Sequence, residues 1–102
     1  MSFDFVIERE LNFEIEGKRS RGKLRVGGIE KANATDTEAL WVCYWSLDEI
    51  HPTKGRIYGV DPLDSFLSCT QFLKTLIDQH KAIGYRVWWN EEGDDAGLVA
   101  AV

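Results

Sequence analysis

The longest regular pattern of apolar and polar positions lies in residues 61–83 and has the period of an α-helix. With about 100° between successive residues, one arc of such a helix is mostly apolar and the other is polar. The apolar arc contains Leu63, Phe66, Cys69, Thr70, Leu73, Leu76, Ile77 and His80. The polar arc contains Asp64, Ser68, Gln71, Lys74, Thr75, Asp78 and Gln79, with Ser65 toward it. One side of this helix must therefore pack against another element.

The sequence also specifies both ends of the helix. Asp61 can cap the first free amides, and Pro62 suits the first helical position. Gly84 can adopt the left-handed conformation that ends a helix. These residues predict a helix over 62–82. No second segment has a comparable helical pattern, so we expect a sheet to cover the apolar arc.

Residues 3–16 and 19–28 alternate between apolar and polar positions, which is typical of half-buried strands. Arg9 is the exception on the apolar side of the first strand, and we expect it near a rim or a bulge. The residues between the strands are Gly17 and Lys18, and glycine suits the first central position of a type II′ turn. The pattern therefore predicts a β-hairpin.

This turn sets the pairing of the two strands, since opposed residue numbers would add up to 35. Glu14 then lies opposite Arg21 and Glu10 opposite Arg25, so the charged pairs have opposite signs. We interpret the basic run at 18–25 as half of a charge ladder on a solvated face. A nucleic-acid patch is the weaker interpretation of the same residues.

The remaining segments predict three more strands. We expect a surface loop at 27–39, strands at 40–47, 55–60 and 85–90, a loop at 48–54, a turn at 90–95 and an apolar tail at 98–102. The strand at 40–47 is apolar on both sides, as in the middle of a sheet. One side carries Trp41, Cys43, Trp45 and Leu47, and the other carries Leu40, Val42 and Tyr44.

These elements predict an α+β fold in one domain spanning residues 1–102. An antiparallel meander of four to five strands would carry one long helix on one face, in the order β-β-β-β-α-β. A single helix covers only one face of a sheet, so we expect something else to cover the apolar second face: strong sheet curvature, the tail at 98–102 or another subunit. The candidates for a contact site are Trp41, Tyr44, Trp45 and Trp88.

Composition and charge exclude several classes of protein. The net charge of −5 argues against a dedicated nucleic-acid binder. The chain has no apolar run of the roughly 18 residues that a membrane span needs, and its first residues lack the pattern of a signal peptide. Two cysteines, Cys43 and Cys69, are too few for a disulfide framework. We therefore expect a cytoplasmic protein.

Few residues suggest chemistry. Cys69 and His80 lie about 16 Å apart along the helix and cannot bind one ion, and Cys43 with Cys69 is more typical of packing than of a zinc site. His80, Asp94 and Asp95 are weak polar candidates for a site. We find neither a nucleophile elbow nor a phosphate-binding glycine loop, and we expect no metal or other cofactor.

Several short segments resemble a small bacterial family of uncharacterised domains of about this length. They are Ile7 to Leu11, Gly22 to Gly27, Trp41 to Leu47, Tyr58 to Asp61, Trp88-Trp89 and Gly93-Asp94. Similar sequences tend to have Gln-Ala-Leu early in the helix, where this chain has Asp64-Ser65-Phe66. The resemblance implies the α+β fold and a bacterial cytoplasmic origin, and it adds no site residue.

Our first functional hypothesis is a non-enzymatic protein-interaction module, similar to small acidic immunity or inhibitor proteins, acting on a partner protein or as a homodimer. The alternative is a small-molecule binder or enzyme with an aromatic-lined pocket, to which His80 or the carboxylates at 91–95 would add polar groups.

Overall fold

The computed structural model describes residues 5–32 and 40–89. The elements are β1 (Phe5–Ile15), β2 (Lys18–Lys31), β3 (Trp41–Leu47), β4 (His51–Gly59), α1 (Pro62–Ala82) and β5 (Arg86–Trp88). The strands form one antiparallel sheet in the order β4-β3-β2-β1-β5. The predicted α+β fold with one helix on a five-stranded sheet is confirmed. Helix α1 starts after one edge strand, β4, and leads to the other edge strand, β5.

Helix α1 begins and ends where the sequence predicts. The Asp64 amide donates to Asp61 Oδ1 at 2.7 Å, and Pro62 occupies the first helical position. Gly84, with φ of 104°, follows the last turn, and its amide donates to the Lys81 carbonyl at 3.1 Å. These caps satisfy main-chain groups that a helix terminus leaves unpaired.

The buried line of α1 differs from the predicted arc at its start. Its fully buried residues are four apart: Ser65, Cys69, Leu73 and Ile77. Ser65 was expected toward the polar side, and this expectation is wrong. The close approach of the chain at Gly59 explains it, since a carbon added there would lie 2.6 Å from the Ser65 Cα. The Ser65 hydroxyl stays paired by donating to the Pro62 carbonyl at 2.9 Å.

The hairpin of β1 and β2 is confirmed, but the predicted turn and register are wrong. The turn residues are Glu16 and Gly17, with φ of 54° and 79°, which makes a type I′ turn. Ile15 therefore pairs with Lys18 and Glu14 with Arg19. From Ile7 to Ile15 the paired numbers add up to 33 instead of 35, so each partner in this stretch moves by two. A two-residue shift keeps each side chain on the same face, so the alternation could not distinguish the two registers.

Two strands are longer than the sequence suggests. β2 continues through residues 27–31, where a loop was expected, with a bulge between Gly27 and Glu30 against β3. β4 begins at His51 rather than at 55, so the loop before it is shorter. Both segments are rich in glycine, proline or charged residues, which are uncommon in strands, so the sequence did not predict a strand there.

The core lies between α1 and one face of the sheet. Every strand contributes to it or packs against it, with Leu11, Phe13, Leu24, Val26, Cys43, Trp45, Leu47 and Val87 buried and Ile57 partly buried. From α1 it receives Cys69, Leu73 and Ile77. We call this the helix side of the sheet and the opposite face the far side.

Candidate interaction surface

Trp45 belongs to the core and is not part of an exposed contact face. Its side chain is 4% exposed and lies on the helix side. The ring packs 4.6 Å from the His51 ring and 5.3 Å from the Phe72 ring. The Nε1 atom of Trp45 is buried without a hydrogen-bond partner. Trp45, a predicted contact residue, is thus a core residue in this chain.

Tyr44 and Trp88 do lie on the far side, but the chain itself covers them. They are 9% and 7% exposed. Lys54 Nζ lies 4.3 Å from the centre of the Tyr44 ring, and the Tyr44 hydroxyl donates to Glu30 Oε1 at 2.7 Å. This hydrogen bond, together with burial, raises the pKa of Tyr44. Tyr44 is thereby closed off by residues of β2 and β4.

Trp88 is closed off by cations from two strands. The guanidinium carbons of Arg86 and Arg19 lie 5.2 Å and 5.6 Å from its ring centre. A cation over the face of an indole is attracted by the quadrupole of the ring, and its alkyl stem covers apolar surface. Trp88 is thus covered in part by side chains of β2 and β5.

Between these two aromatic side chains the far side is charged. Arg19 Nε lies 2.9 Å from Glu14 Oε1, and Lys23 Nζ lies 3.5 Å from Glu8 Oε1. Arg21 pairs with Glu10. The charge ladder predicted from the sequence thus forms, although in the other register. Each exposed pair stabilises the fold by only about 0.2–1 kcal/mol, but the pairing neutralises the basic run locally.

Four exposed apolar side chains flank the place where β3 begins and β4 ends; among the described residues Ile7, Leu67, Phe72, Ile83 and Trp89 are exposed elsewhere. Leu40 and Val60 adjoin the last β3–β4 pair, Trp41 with Gly59. Tyr58, Val60 and Leu63 are 52%, 70% and 65% exposed. Leu40 is partly exposed as well. We call these four residues, Leu40, Tyr58, Val60 and Leu63, the corner surface. Trp41, a predicted contact residue, is half-buried beside them.

The geometry of the corner surface follows from how β4 joins α1. The Val60 amide donates to Asp64 Oδ2 at 2.9 Å, which holds the strand end against the first helical turn. Asp61 then caps the helix one residue later. Val60 and Leu63 are placed on either side of this cap and both point away from the core. Two hydrogen bonds between side chain and main chain therefore hold the short connection from β4 to α1.

The middle of β4 is positively charged. Lys54 and Arg56 lie on the far side of this edge strand and are exposed. The range His51–Gly59 contains no aspartate or glutamate. Arg56 also lies near Tyr44, with its guanidinium carbon 6.0 Å from the ring centre. An acidic protein thus presents a cationic strand at the edge of its described sheet, next to the corner surface.

The candidate chemical groups do not assemble into a site. His80 Nδ1 lies 2.8 Å from the Leu76 carbonyl and His51 Nδ1 lies 2.9 Å from the Thr53 carbonyl, so in each ring this nitrogen is a donor. Among the described residues, no group of three or more His, Cys, Asp or Glu could hold a metal ion. Asp94 and Asp95 lie outside the described residues, as do the predicted turn and the tail at 98–102.

The two cysteines do meet across the helix–sheet interface. Cys43 and Cys69 are both fully buried and free, and the Cys43 thiol donates to the Tyr44 carbonyl at 3.8 Å. The neighbouring Cys43 thiol and burial raise the pKa of Cys69, which keeps its thiol protonated. The pair therefore acts as packing, as the sequence suggested.

Sequence reasoning missed the corner surface. Val60 and Leu63 were assigned to a strand and to the apolar arc of the helix, and both assignments imply burial. The available signal was that Val60 and Leu63 flank the helix cap at Asp61. Lys54 was missed because its segment was interpreted as a loop.

No protein-family model, curated protein or solved structure matches the chain. The resemblance to a small bacterial family therefore gains no support from these comparisons. Within the two described ranges, no helix combines the length and the hydropathy needed to cross a membrane.

Proposed function

We propose that this chain is a non-enzymatic protein-interaction module, and that its partner contacts the corner surface. One observation carries the proposal: Tyr58, Val60 and Leu63, which lie within six residues of one another around the junction of β4 and α1, are each more than half exposed. Burying such side chains against a partner gains about 25 cal/mol per Å² of apolar surface. Exposed apolar clusters of this kind are typical of contact sites.

The rest of the described surface supports this assignment. On the far side the charges of β1 and β2 pair with each other, and the Tyr44 and Trp88 rings carry cations from the same chain. The Nδ1 atoms of both histidines are held by main-chain carbonyls rather than by a serine or cysteine nucleophile. These features favour binding over acid–base or nucleophilic catalysis.

The net charge of −5 fits a comparison with small acidic immunity or inhibitor proteins, which act on a partner protein. The proposal includes a homodimer as one form of partner. It also includes a cytoplasmic location, since two cysteines that pack against each other as free thiols suit a reducing compartment.

Site-specific photo-crosslinking in the native cell tests the proposal. A photoreactive amino acid at Val60 should give a discrete protein adduct. The matched control is Ile83, which is also 70% exposed but lies at the other end of α1. We expect no such adduct from position 83. An adduct of the same mass from both positions, or none from position 60, would contradict the proposal.

A small-molecule site is the second candidate, and the unpaired Nε1 of buried Trp45 favours it. A ligand carbonyl could accept from this donor beside the His51 and Phe72 rings. A thermal-shift screen against metabolites tests it. A ligand that stabilises the protein, but not a Trp45→Phe variant, would support it. The absence of any stabilising ligand would contradict it.

A further inference from the structure

We propose that Cys43 and Cys69 form a reversible disulfide that links α1 to β3 when a small disulfide oxidant, such as oxidised glutathione, is in excess. The inference goes beyond the proposed function and does not depend on it. Both thiols are fully buried in the same core, and the chain contains no other cysteine. They are therefore the one pair that can cross-link within a single copy of the chain.

The two cysteines face each other because α1 crosses the sheet at an angle. The helix begins over the edge strand β4, where the main chain of Ser65 approaches Gly59. It leads toward β5 at the opposite edge, so the strand that it meets next is β3. Cys69 is the next fully buried residue of α1 after Ser65, and Cys43 lies on the helix side of β3. The Cys43 thiol is accordingly the neighbour of the Cys69 thiol.

The path of the backbone also suits a disulfide, which requires facing side chains and Cα atoms about 4–7 Å apart. The reference point is the close contact of Gly59 with Ser65. From Ser65, Cys69 lies four residues along α1, a rise of about 6 Å. From Trp41, the cross-strand partner of Gly59, Cys43 lies two residues along β3, about 7 Å. Both steps run in the direction of β3, so the close approach continues to the two cysteines.

A disulfide here would close residues 44–68 into a loop that lies within the described range 40–89. The loop contains all of β4, the cap of α1 and three residues of the corner surface, Tyr58, Val60 and Leu63. Joining two residues of a chain lowers the entropy of its unfolded state and so stabilises the folded state. Oxidation would therefore strengthen the part of the fold that presents the corner surface.

The exchange with oxidised glutathione takes two steps. One protein thiolate attacks a sulfur of oxidised glutathione, forms a mixed disulfide and releases one glutathione thiol. The second protein thiolate attacks the protein sulfur of the mixed disulfide and releases the second glutathione thiol. The protein loses two electrons and two protons, and oxidised glutathione gains them. Because both protein thiols are fully buried, the first step takes place while α1 is detached, during folding or unfolding.

Equilibrium in glutathione buffers tests the proposal. Reduced, unfolded protein is brought to equilibrium at a fixed concentration of reduced glutathione and graded concentrations of oxidised glutathione, without denaturant and in concentrated urea. Mass spectrometry after alkylation measures the fraction that carries the intramolecular disulfide. Half-oxidation without denaturant should need about 30- to 1,000-fold less oxidised glutathione than in urea, because folding and the cross-link stabilise each other.

Two variants, Cys43→Ala and Cys69→Ala, are the matched controls, since each keeps one cysteine. The urea midpoint of wild type should rise on oxidation, whereas that of either variant should not. The proposal would be overturned by an equal or greater need for oxidised glutathione without denaturant, by a glutathione mixed disulfide as the final product, or by disulfide-linked dimers. If an alanine variant does not fold, the comparison of wild type with and without urea decides by itself.

Discussion

The Trp45 indole occupies the space in which a side chain at Gly55 would stand. A carbon added at Gly55 would lie 2.5 Å from Cζ2 of Trp45. The two residues are direct cross-strand partners of β3 and β4. This relationship lets a tryptophan fit under α1 beside the edge strand β4.

Replacing Gly55 with alanine should therefore destabilise the protein by about 1–3 kcal/mol, the usual cost of overpacking a core. Denaturant unfolding measures this change. In a Trp45→Leu background the same substitution should cost much less, because the opposing ring is gone. An equal cost in both backgrounds would show that the ring is not what excludes the alanine.

The type I′ turn predicts a stabilising substitution. Glu16 has a φ of 54°, where a residue other than glycine or asparagine is strained. Glu16→Asn creates the preferred Asn-Gly pair and should stabilise the protein by about 0.5–1 kcal/mol. Lys18→Asn is the control, and thermal unfolding is the measurement. If only Lys18→Asn stabilised the protein, the turn would lie one residue later and the paired numbers would add up to 35.

The hydrogen bond from Tyr44 to Glu30 predicts a pH dependence. Because the folded-state pKa of Tyr44 is raised, its contribution to stability is complete below the ordinary value of 10.0 and is lost as pH rises through the folded value. At pH 8, Tyr44→Phe should be less stable than wild type by about 1 kcal/mol. The difference should shrink above pH 10. A difference that is constant or grows with alkaline pH would contradict this account.

The burial of Cys43 and Cys69 predicts that both thiols react slowly with a thiol reagent in the folded protein. Since Cys43 and Cys69 are fully buried and the pKa of Cys69 is raised, neither should react with a thiol reagent until the protein unfolds. A Thr53→Cys variant supplies an exposed thiol as the control. The native cysteines should react at the unfolding rate, and the control thiol at once. Equal rates would contradict the packing of α1 on β3.

The sequence correctly predicts the features that depend on the local period of apolar residues and on the residues that cap a helix. The alternation of β1 assigns Leu11 and Phe13 to one face, and Asp61 and Gly84 delimit α1. The alternation could not distinguish the two hairpin registers, with paired numbers adding up to 33 or 35, because both place every side chain on the same face. It also could not show that Ser65 is buried, because this depends on a backbone contact with Gly59.

The candidate site was harder to predict than the fold. A one-helix sheet suggested an uncovered far side, but coverage depends on which long side chains reach over which rings. Arg19 and Arg86 come from different ends of the chain and meet at Trp88 only because β5 pairs with β1. The exposure of Val60 and Leu63 likewise depends on the three-dimensional structure, here on how β4 joins α1.

The account depends on one contrast: the chain itself covers the Tyr44 and Trp88 rings on the far side, whereas Tyr58 and the other residues of the corner surface stay exposed. Hydroxyl-radical footprinting of the isolated protein, read by mass spectrometry across a dilution series, tests it most directly. The account predicts rapid labelling of Tyr58 and Leu63 and strong protection of Tyr44, Trp45 and Trp88 at every dilution. Labelling of Trp88 as fast as Tyr58 would contradict it.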